Sequence, residues 1–173
     1  RFRLPYPVPL ARLTLLTNTL SDILMSTRKG SLAKPMQYDS FTASWVDAAF
    51  DVVSENEITL RFSAEPDIGV SLNHLQAKFE SEMAALAEEG IPLPTFSKIV
   101  GQSRKQLQTL ELKRARQLSL ALSRINLEMS PVDLEQFDQE LASITRKELE
   151  DILRVASGPG KVIVMYANRK ETQ

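Results

Sequence analysis

The sequence contains no cysteine and only one histidine, His74. The absence of cysteine excludes disulfides and thiolate chemistry but does not fix the compartment, because many soluble proteins of the bacterial periplasm also lack cysteine. One imidazole without a second histidine or a cysteine at metal-ligand spacing cannot build the usual protein-only zinc site. We therefore interpret His74 as a partly exposed helical residue and expect no cofactor in this chain.

Other signatures of function are also missing. The six glycines are scattered at turns, so the sequence has no phosphate-binding loop, and no serine stands in a G-x-S-x-G nucleophile elbow. The longest apolar stretch, Leu10 to Met25, is interrupted by charged and polar residues and is too short to span a membrane. The net charge is −1, which gives no reason to expect nucleic acid or an anionic membrane as a partner.

Charge is nevertheless distributed unevenly. Seven basic residues lie between Lys98 and Arg124 against one acid, and eight acidic residues lie between Glu128 and Asp151 against two bases. We interpret these segments as two solvated faces that attract each other. The alternative is a basic groove for an acidic peptide or nucleic acid. No aromatic residue lies among the basic ones, so bases would have no stacking platform, which argues against nucleic acid.

The apolar pattern predicts two long helices between Val70 and Leu127. The first has apolar residues every three or four positions, at Leu72, Leu75, Phe79, Met83 and Leu86. Gly90 and the segment Ile91–Pro94 should separate the helices, since proline cannot continue one. Thr95 or Ser97 is the predicted cap of the second helix, which should run to Ile125.

A helix and a hairpin are predicted before this pair. The helix starts at Leu10, has a buried stripe, and is ended by Gly30 and Pro35, with an exposed basic loop at Lys29–Lys34. Its stripe consists of Leu13, Leu16, Leu20 and Ile23.

The first strand of the hairpin should bury Phe41, Ala43 and Trp45 on one face. Its alternation of buried and exposed residues should then shift by one residue at a bulge near Val46. A turn at Glu55–Asn56 and a second strand ending at Pro66 complete the hairpin.

Two shorter helices and a strand are predicted at the end. Ser130-Pro131 should open one helix, with Leu134, Phe137 and Leu141 buried, and Thr145 and Glu148 form a capping box for the next. The segment Lys161–Tyr166 is predicted to form a strand. The predicted order is α-β-β-α-α-α-α-β, an α+β fold with helices covering an antiparallel sheet. We expect residues 1–173 to be a single α+β domain excised from a longer chain, because the sequence begins at Arg1 without a methionine or leader.

Several segments in this order resemble one protein family. They are DILMSTRKG, FTASWVDAAFDVV, EITLRFSAEP, LAEEGIPLPTFSKIVGQ, SITRKELEDIL and KVIVMYAN. Together they are similar to the C-terminal, non-catalytic part of a domain of the pitrilysin/insulysin family of zinc metallopeptidases. The resemblance covers nearly the whole chain and depends on the order of the helices and strands and on loosely defined motifs.

The resemblance implies where the chemistry lies. In this family an H-x-x-E-H motif and a distant glutamate bind zinc in the N-terminal half, and the C-terminal half closes over it to hold a peptide. An arginine at the end of the first helix and a tyrosine seven residues later contact the substrate. Arg28 matches the arginine, whereas position 35 is proline and the nearest tyrosine is Tyr38. The implied partners are the N-terminal catalytic half of the same protein and a peptide substrate, with zinc held by that half.

A second function remains open on the same fold. The chain would then be a non-enzymatic interaction or assembly module, like the core-type subunits of respiratory complexes that resemble this family but cut nothing. An H-x-x-E-H motif upstream of Arg1 would favour the peptidase. We also expect the 173-residue chain to self-associate, because a sheet of about three strands exposes an edge.

Overall fold

The computed structural model describes residues 1–106 and 134–158, together with helical positions 114–115, 118 and 121–122. Its elements are β1 (Phe2–Arg3), α1 (Leu10–Leu24), a π-helical turn (Lys34–Asp39), β2 (Ala43–Ser54), β3 (Glu57–Pro66), α2 (Leu72–Glu89), α3 (Leu93–Gln106), α4 (Leu134–Ala142) and α5 (Arg146–Ala156). The predicted α+β class, with helices on an antiparallel sheet, is confirmed.

The sheet is built on the predicted hairpin. Its strand order is β1-β3-β2, and β2 pairs with β3 through the turn at Glu55–Asn56. The pairing is irregular between Ala43 and Trp45, so the expected bulge lies just before Val46. From Val46 onward the buried residues of β2 alternate, which places one face of the sheet against the helices.

The strand β1 was not predicted. Phe2 pairs with Ile58, and the N–H of Leu4 donates to the carbonyl of Asn56 at 2.8 Å. A two-residue strand is too short to give a periodic pattern, and Pro5, Pro7 and Pro9 follow it closely.

Helix α1 is the centre of the core. The four residues of its predicted stripe are at most 3% exposed, which confirms that interpretation. Two threonines on its other faces, Thr17 and Thr19, are also buried, because α1 packs against β2, α3 and α5. Their hydroxyl groups donate to the carbonyls of Leu13 and Leu15, so burial leaves neither hydroxyl without a partner.

Helix α2 follows the prediction closely. Leu75, Met83 and Leu86 are buried, and Phe79 stacks on Phe62 of β3 with ring centroids 4.0 Å apart. The helix ends at Glu89, and Gly90 adopts a φ of +75° that favours glycine, so Gly90 acts as the predicted stop.

Helix α3 begins earlier than predicted. It starts at Leu93 rather than after a cap at Thr95 or Ser97. Pro94 is tolerated because the first turn of a helix has no intrahelical acceptor for its N–H groups. The carbonyl of Pro92 accepts the N–H groups of Thr95 and Phe96, and the Thr95 hydroxyl is used elsewhere.

The last two helices agree with their predicted patterns. Phe137 and Leu141 of α4 are buried, and the capping box of Thr145 and Glu148 opens α5. The predicted start at Ser130-Pro131, the side chain of Leu134 and the strand Lys161–Tyr166 lie outside the described residues, as does most of the second long helix beyond Gln106. None of the helices in the described part of the chain has the length and apolarity needed to cross a membrane.

Candidate functional site

The connection between α1 and β2 carries both predicted site residues, Arg28 and Tyr38. Helix α1 ends at Leu24, four residues before Arg28, so the expectation that Arg28 projects from the helix end is wrong. The end is fixed by a tight turn, in which the N–H and hydroxyl of Ser26 both donate to the carbonyl of Ile23. Arg28 therefore lies on a loop.

This loop is more buried than its basic composition suggests. Ser31, Leu32 and Ala33 are at most 2% exposed, which corrects the prediction of an exposed loop at Lys29–Lys34. The N–H of Leu32 donates to the carbonyl of Leu24 at 2.9 Å, so the chain folds back beneath the helix. The free energy gained by burying Leu32 and Ala33 thus outweighs the tendency of Lys29 and Lys34 to keep the loop in water.

A close approach attaches the loop to the corner between α2 and α3. Gly30 has a φ of +81°, and a Cβ placed there would lie 2.2 Å from Cδ of Pro92. The Thr95 hydroxyl donates to the carbonyl of Lys29 at 2.7 Å. Arg28, although outside the helix, is therefore carried by backbone that is held on both sides.

Arg28 and Tyr38 both direct their side chains to solvent. Tyr38 lies in the π-helical turn and is 55% exposed, and Arg28 is exposed as well. In the described part of the chain, no hydrogen bond joins the two side chains and Arg28 has no ion pair. The structure therefore leaves both groups accessible to a ligand without showing them as a contacting pair.

Four exposed apolar side chains lie near this connection, and we call them the aromatic patch: Tyr38, Phe41, Trp45 and Ile68. The Gln37 amide donates to the carbonyl of Ser44 at 3.2 Å, and the N–H of Asp67 donates to the carbonyl of Thr42 at 3.2 Å. These bonds gather the π-helical turn, the start of β2 and the end of β3 at one end of the hairpin.

The aromatic patch corrects the prediction that Phe41 and Trp45 face the core. Phe41 is 63% exposed and precedes β2, and Trp45 is 51% exposed. The longer alternation from Val46 sets the buried face, and the bulge leaves Trp45 on the exposed face, whereas Ala43 is buried as predicted, at 1% exposed. Phe41 also has a φ of +49°, which is unusual for an aromatic residue. Three aromatic residues within positions 38–45 were the available sequence signal.

A network of polar contacts, which was not predicted from the sequence, joins α1 to α5. The Arg12 guanidinium donates to both carboxylate oxygens of Glu148 at 2.8 Å and to the carbonyls of Glu140 and Ser143. Burial alone would raise the pKa of Glu148, but hydrogen bonds from Thr145 and Arg12 outweigh it and hold that pKa below its usual range.

Among the described residues, one ion pair joins the basic and the acidic segments, as the uneven charge predicts. Arg104 of the basic segment donates to both carboxylate oxygens of Asp138 in the acidic segment, at 2.8 and 3.0 Å. These hydrogen bonds hold the pKa of Asp138 below its usual range. Both side chains are largely exposed, so the pair orients α3 and α4 more than it stabilises the fold.

Arg28, Tyr38 and the aromatic patch give the connection between α1 and β2 groups that can bind a ligand. Within the described ranges, no group of three histidine or carboxylate side chains is arranged to hold a metal ion. His74 lies in the exposed first turn of α2, where its N–H donates to the Ser71 hydroxyl. A guanidinium and a phenol can hydrogen-bond to peptide carbonyls, and exposed aromatic rings can contact apolar side chains.

No protein-family model matches the chain, and no curated protein matches it. Among solved structures, the chain is similar to a protease from Helicobacter pylori, with a TM-score of 0.62 and 15% sequence identity. The two share a fold. The match covers 88% of this chain and 36% of the protease, so this chain spans about a third of the length of that protein.

Proposed function

We propose that this chain is the non-catalytic C-terminal domain of a zinc metallopeptidase of the pitrilysin/insulysin type. It helps to form the chamber in which a peptide is held, while a separate N-terminal half carries zinc and the H-x-x-E-H motif. The observation that supports this most strongly is the fold shared with a protease over 88% of the chain. The order of motifs in the sequence is independent support for the family.

In this proposal Arg28 and Tyr38 contact the peptide. Arg28 is exposed on a loop whose backbone is held at Gly30 and by the bond from Thr95, so little backbone conformational entropy would be lost when a ligand binds. Its guanidinium can grip a peptide carbonyl or a carboxylate. Tyr38 is exposed on the neighbouring π-helical turn and can donate a second hydrogen bond.

The second candidate is a non-enzymatic interaction or assembly module, and the aromatic patch favours it. Exposed aromatic side chains are enriched at the centres of protein interfaces. Ile68, which follows β3 at the same end of the hairpin, is 99% exposed. A protein partner covering the patch would account for these residues without any catalysis.

Zinc content and hydrolysis distinguish the two functions. The 173-residue chain alone should retain no stoichiometric zinc after dialysis and cleave no peptide, because His74 is its only imidazole. A longer protein that contains this chain should hold one zinc ion per molecule and hydrolyse peptides. Deletion of this domain should abolish hydrolysis while zinc is retained.

The opposite results would overturn the proposal. One equivalent of zinc or chelator-sensitive cleavage in the isolated chain would place the catalytic site here. A longer protein without zinc and without hydrolysis would leave the assembly module as the function.

A further inference from the structure

A buried hydroxyl group lies between the two predicted site residues. Ser31 is 2% exposed. Its hydroxyl donates to the carbonyl of Arg28 at 2.8 Å and accepts the N–H of Lys34 at 3.2 Å. Lys34 is the first residue of the π-helical turn that contains Tyr38. Ser31 therefore joins the backbone of the loop that carries Arg28 to the turn that carries Tyr38.

The π-helical turn is held on both sides of Tyr38. The ammonium group of Lys34 donates to both carboxylate oxygens of Asp39, and these are the first and last residues of the turn. Between them, Met36 is fully buried in a cluster that includes residues of β2 and α2. The backbone of Tyr38 is therefore placed by the same turn whose first N–H is bound to Ser31.

We propose that Ser31 is a positioning residue, which fixes Arg28 and Tyr38 relative to each other so that both bind the peptide as one unit. The inference rests on the proposed function, in which Arg28 and Tyr38 contact the peptide. In the described part of the chain, no hydrogen bond joins the two side chains, so their separation depends on the backbone between them. Ser31 acts through these two residues and does not itself touch the peptide.

The physical reason is the sensitivity of catalysis to geometry. Ser31→Ala removes the buried partner of the Arg28 carbonyl and of the Lys34 N–H, and both groups must then find other partners. The close approach of Gly30 to Pro92 remains, so the loop stays attached while its two ends lose their shared contact. A displacement of about 1 Å in a group that holds the substrate can lower the rate by up to about 100-fold.

A double-mutant cycle measures this role in the protein that unites this domain with its proposed zinc-binding half. Ser31→Ala should lower kcat/KM at least about fivefold. In the Arg28→Ala background, the same change should lower kcat/KM less than about twofold, because the group that Ser31 positions is already absent. A Tyr38→Phe background should likewise reduce the effect of Ser31→Ala.

Ser21→Ala is the matched control. The Ser21 hydroxyl also donates to one backbone carbonyl, that of Thr17, and accepts one backbone N–H, that of Phe50. The same chemical change thus removes two backbone contacts where α1 meets β2 rather than in the loop. Ser21→Ala should lower Tm and leave kcat/KM unchanged at a temperature well below Tm, which separates a loss of stability from a loss of positioning.

Amide hydrogen exchange tests the contact itself in the 173-residue chain. Ser31→Ala should raise the exchange rate of the Lys34 N–H at least about tenfold, because that group loses its acceptor. The N–H of Leu32, which donates to the carbonyl of Leu24, should keep its exchange rate.

The outcomes distinguish this proposal from the proposed function. A longer protein that cleaves no peptide before any substitution overturns the proposed function, and the role of Ser31 with it. An active longer protein whose kcat/KM is unchanged by Ser31→Ala overturns the positioning role alone. The positioning role is also overturned by equal losses from Ser31→Ala with and without the Arg28 side chain, or by an unchanged exchange rate at Lys34.

Discussion

Arg12 and Arg28 are separated by 16 positions, yet the structure uses them in opposite ways. Arg12, in the first turn of α1, is bound to Glu148 and to two carbonyls where α4 meets α5. Arg28, beyond the end of the same helix, is exposed, and the backbone of its loop is held by the close approach of Gly30 to Pro92 and by the hydrogen bond from the Thr95 hydroxyl. A guanidinium saturated by protein acceptors stabilises the fold, whereas an exposed one on a fixed backbone can bind a ligand.

The regions around Arg12 and Arg28 are also held rigid by different kinds of contact. The region around Arg12 is held by side-chain hydrogen bonds between helices. Its contribution to stability should therefore change with pH and fall when polar atoms are removed. The loop around Arg28 is held by the close approach of Gly30 to Pro92. A side chain added at position 30 should therefore destabilise it.

The largest expected effect is at Gly30. Gly30→Ala should lower the free energy of unfolding by about 2–5 kcal/mol. About 1–2 kcal/mol comes from the left-handed backbone, and about 1–3 comes from the clash of the new Cβ with Pro92. Denaturation in urea measures the loss.

Gly69→Ala is the matched control. Gly69 has nearly the same φ, +80°, but no atom lies within 4 Å of a Cβ placed there. It should therefore cost only the backbone contribution of about 1–2 kcal/mol. Equal losses at the two glycines would show that the contact with Pro92 does not hold the loop.

Arg12→Ala should have the next largest effect on stability, a loss of about 1–3 kcal/mol. The carboxylate of Glu148 and the carbonyls of Glu140 and Ser143 would lose a charged donor at a partly buried site. Arg154→Ala breaks an exposed pair with Asp151 and should cost less than about 1 kcal/mol. A loss at Arg12 no greater than that at Arg154 would contradict the assigned role.

A smaller effect is expected on the pH dependence of stability. The pKa of Glu148 is lower in the folded state than its ordinary value of 4.5. Its contribution to stability is therefore complete above that ordinary value and is lost as pH falls through the folded-state pKa. Glu148→Gln should flatten the acid limb of a plot of unfolding free energy against pH. An unchanged acid limb would assign the pH dependence to other carboxylates.

Much of the fold could be predicted because local patterns determine it. The stripe of α1, the turn at Glu55–Asn56 and the capping box at Thr145 each depend on residues close in sequence. The start of α3 was misplaced because the Thr95 hydroxyl binds the distant carbonyl of Lys29. The contacts of Arg12 likewise join residues more than 120 positions apart, which periodicity cannot show.

The candidate site was less predictable than the fold. Arg28 was found through resemblance, but its exposure depends on the end of α1 at Leu24 and on the buried Leu32. The face of Trp45 depends on a bulge whose position the strand pattern gives only to within two residues. Both are consequences of tertiary packing that overrides local alternation.

The most direct test of the central claim is the effect of Arg28→Ala on kcat/KM in the protein that unites this domain with its proposed zinc-binding half. Lys29→Ala, which removes an exposed positive charge from the neighbouring position, is the control. If Arg28 binds the peptide in the transition state, Arg28→Ala should lower kcat/KM at least about tenfold, or about 1.4 kcal/mol. Zinc content and Tm should not change. Lys29→Ala should leave kcat/KM nearly unchanged. Equal kcat/KM values for Arg28→Ala and the original protein would contradict the claim.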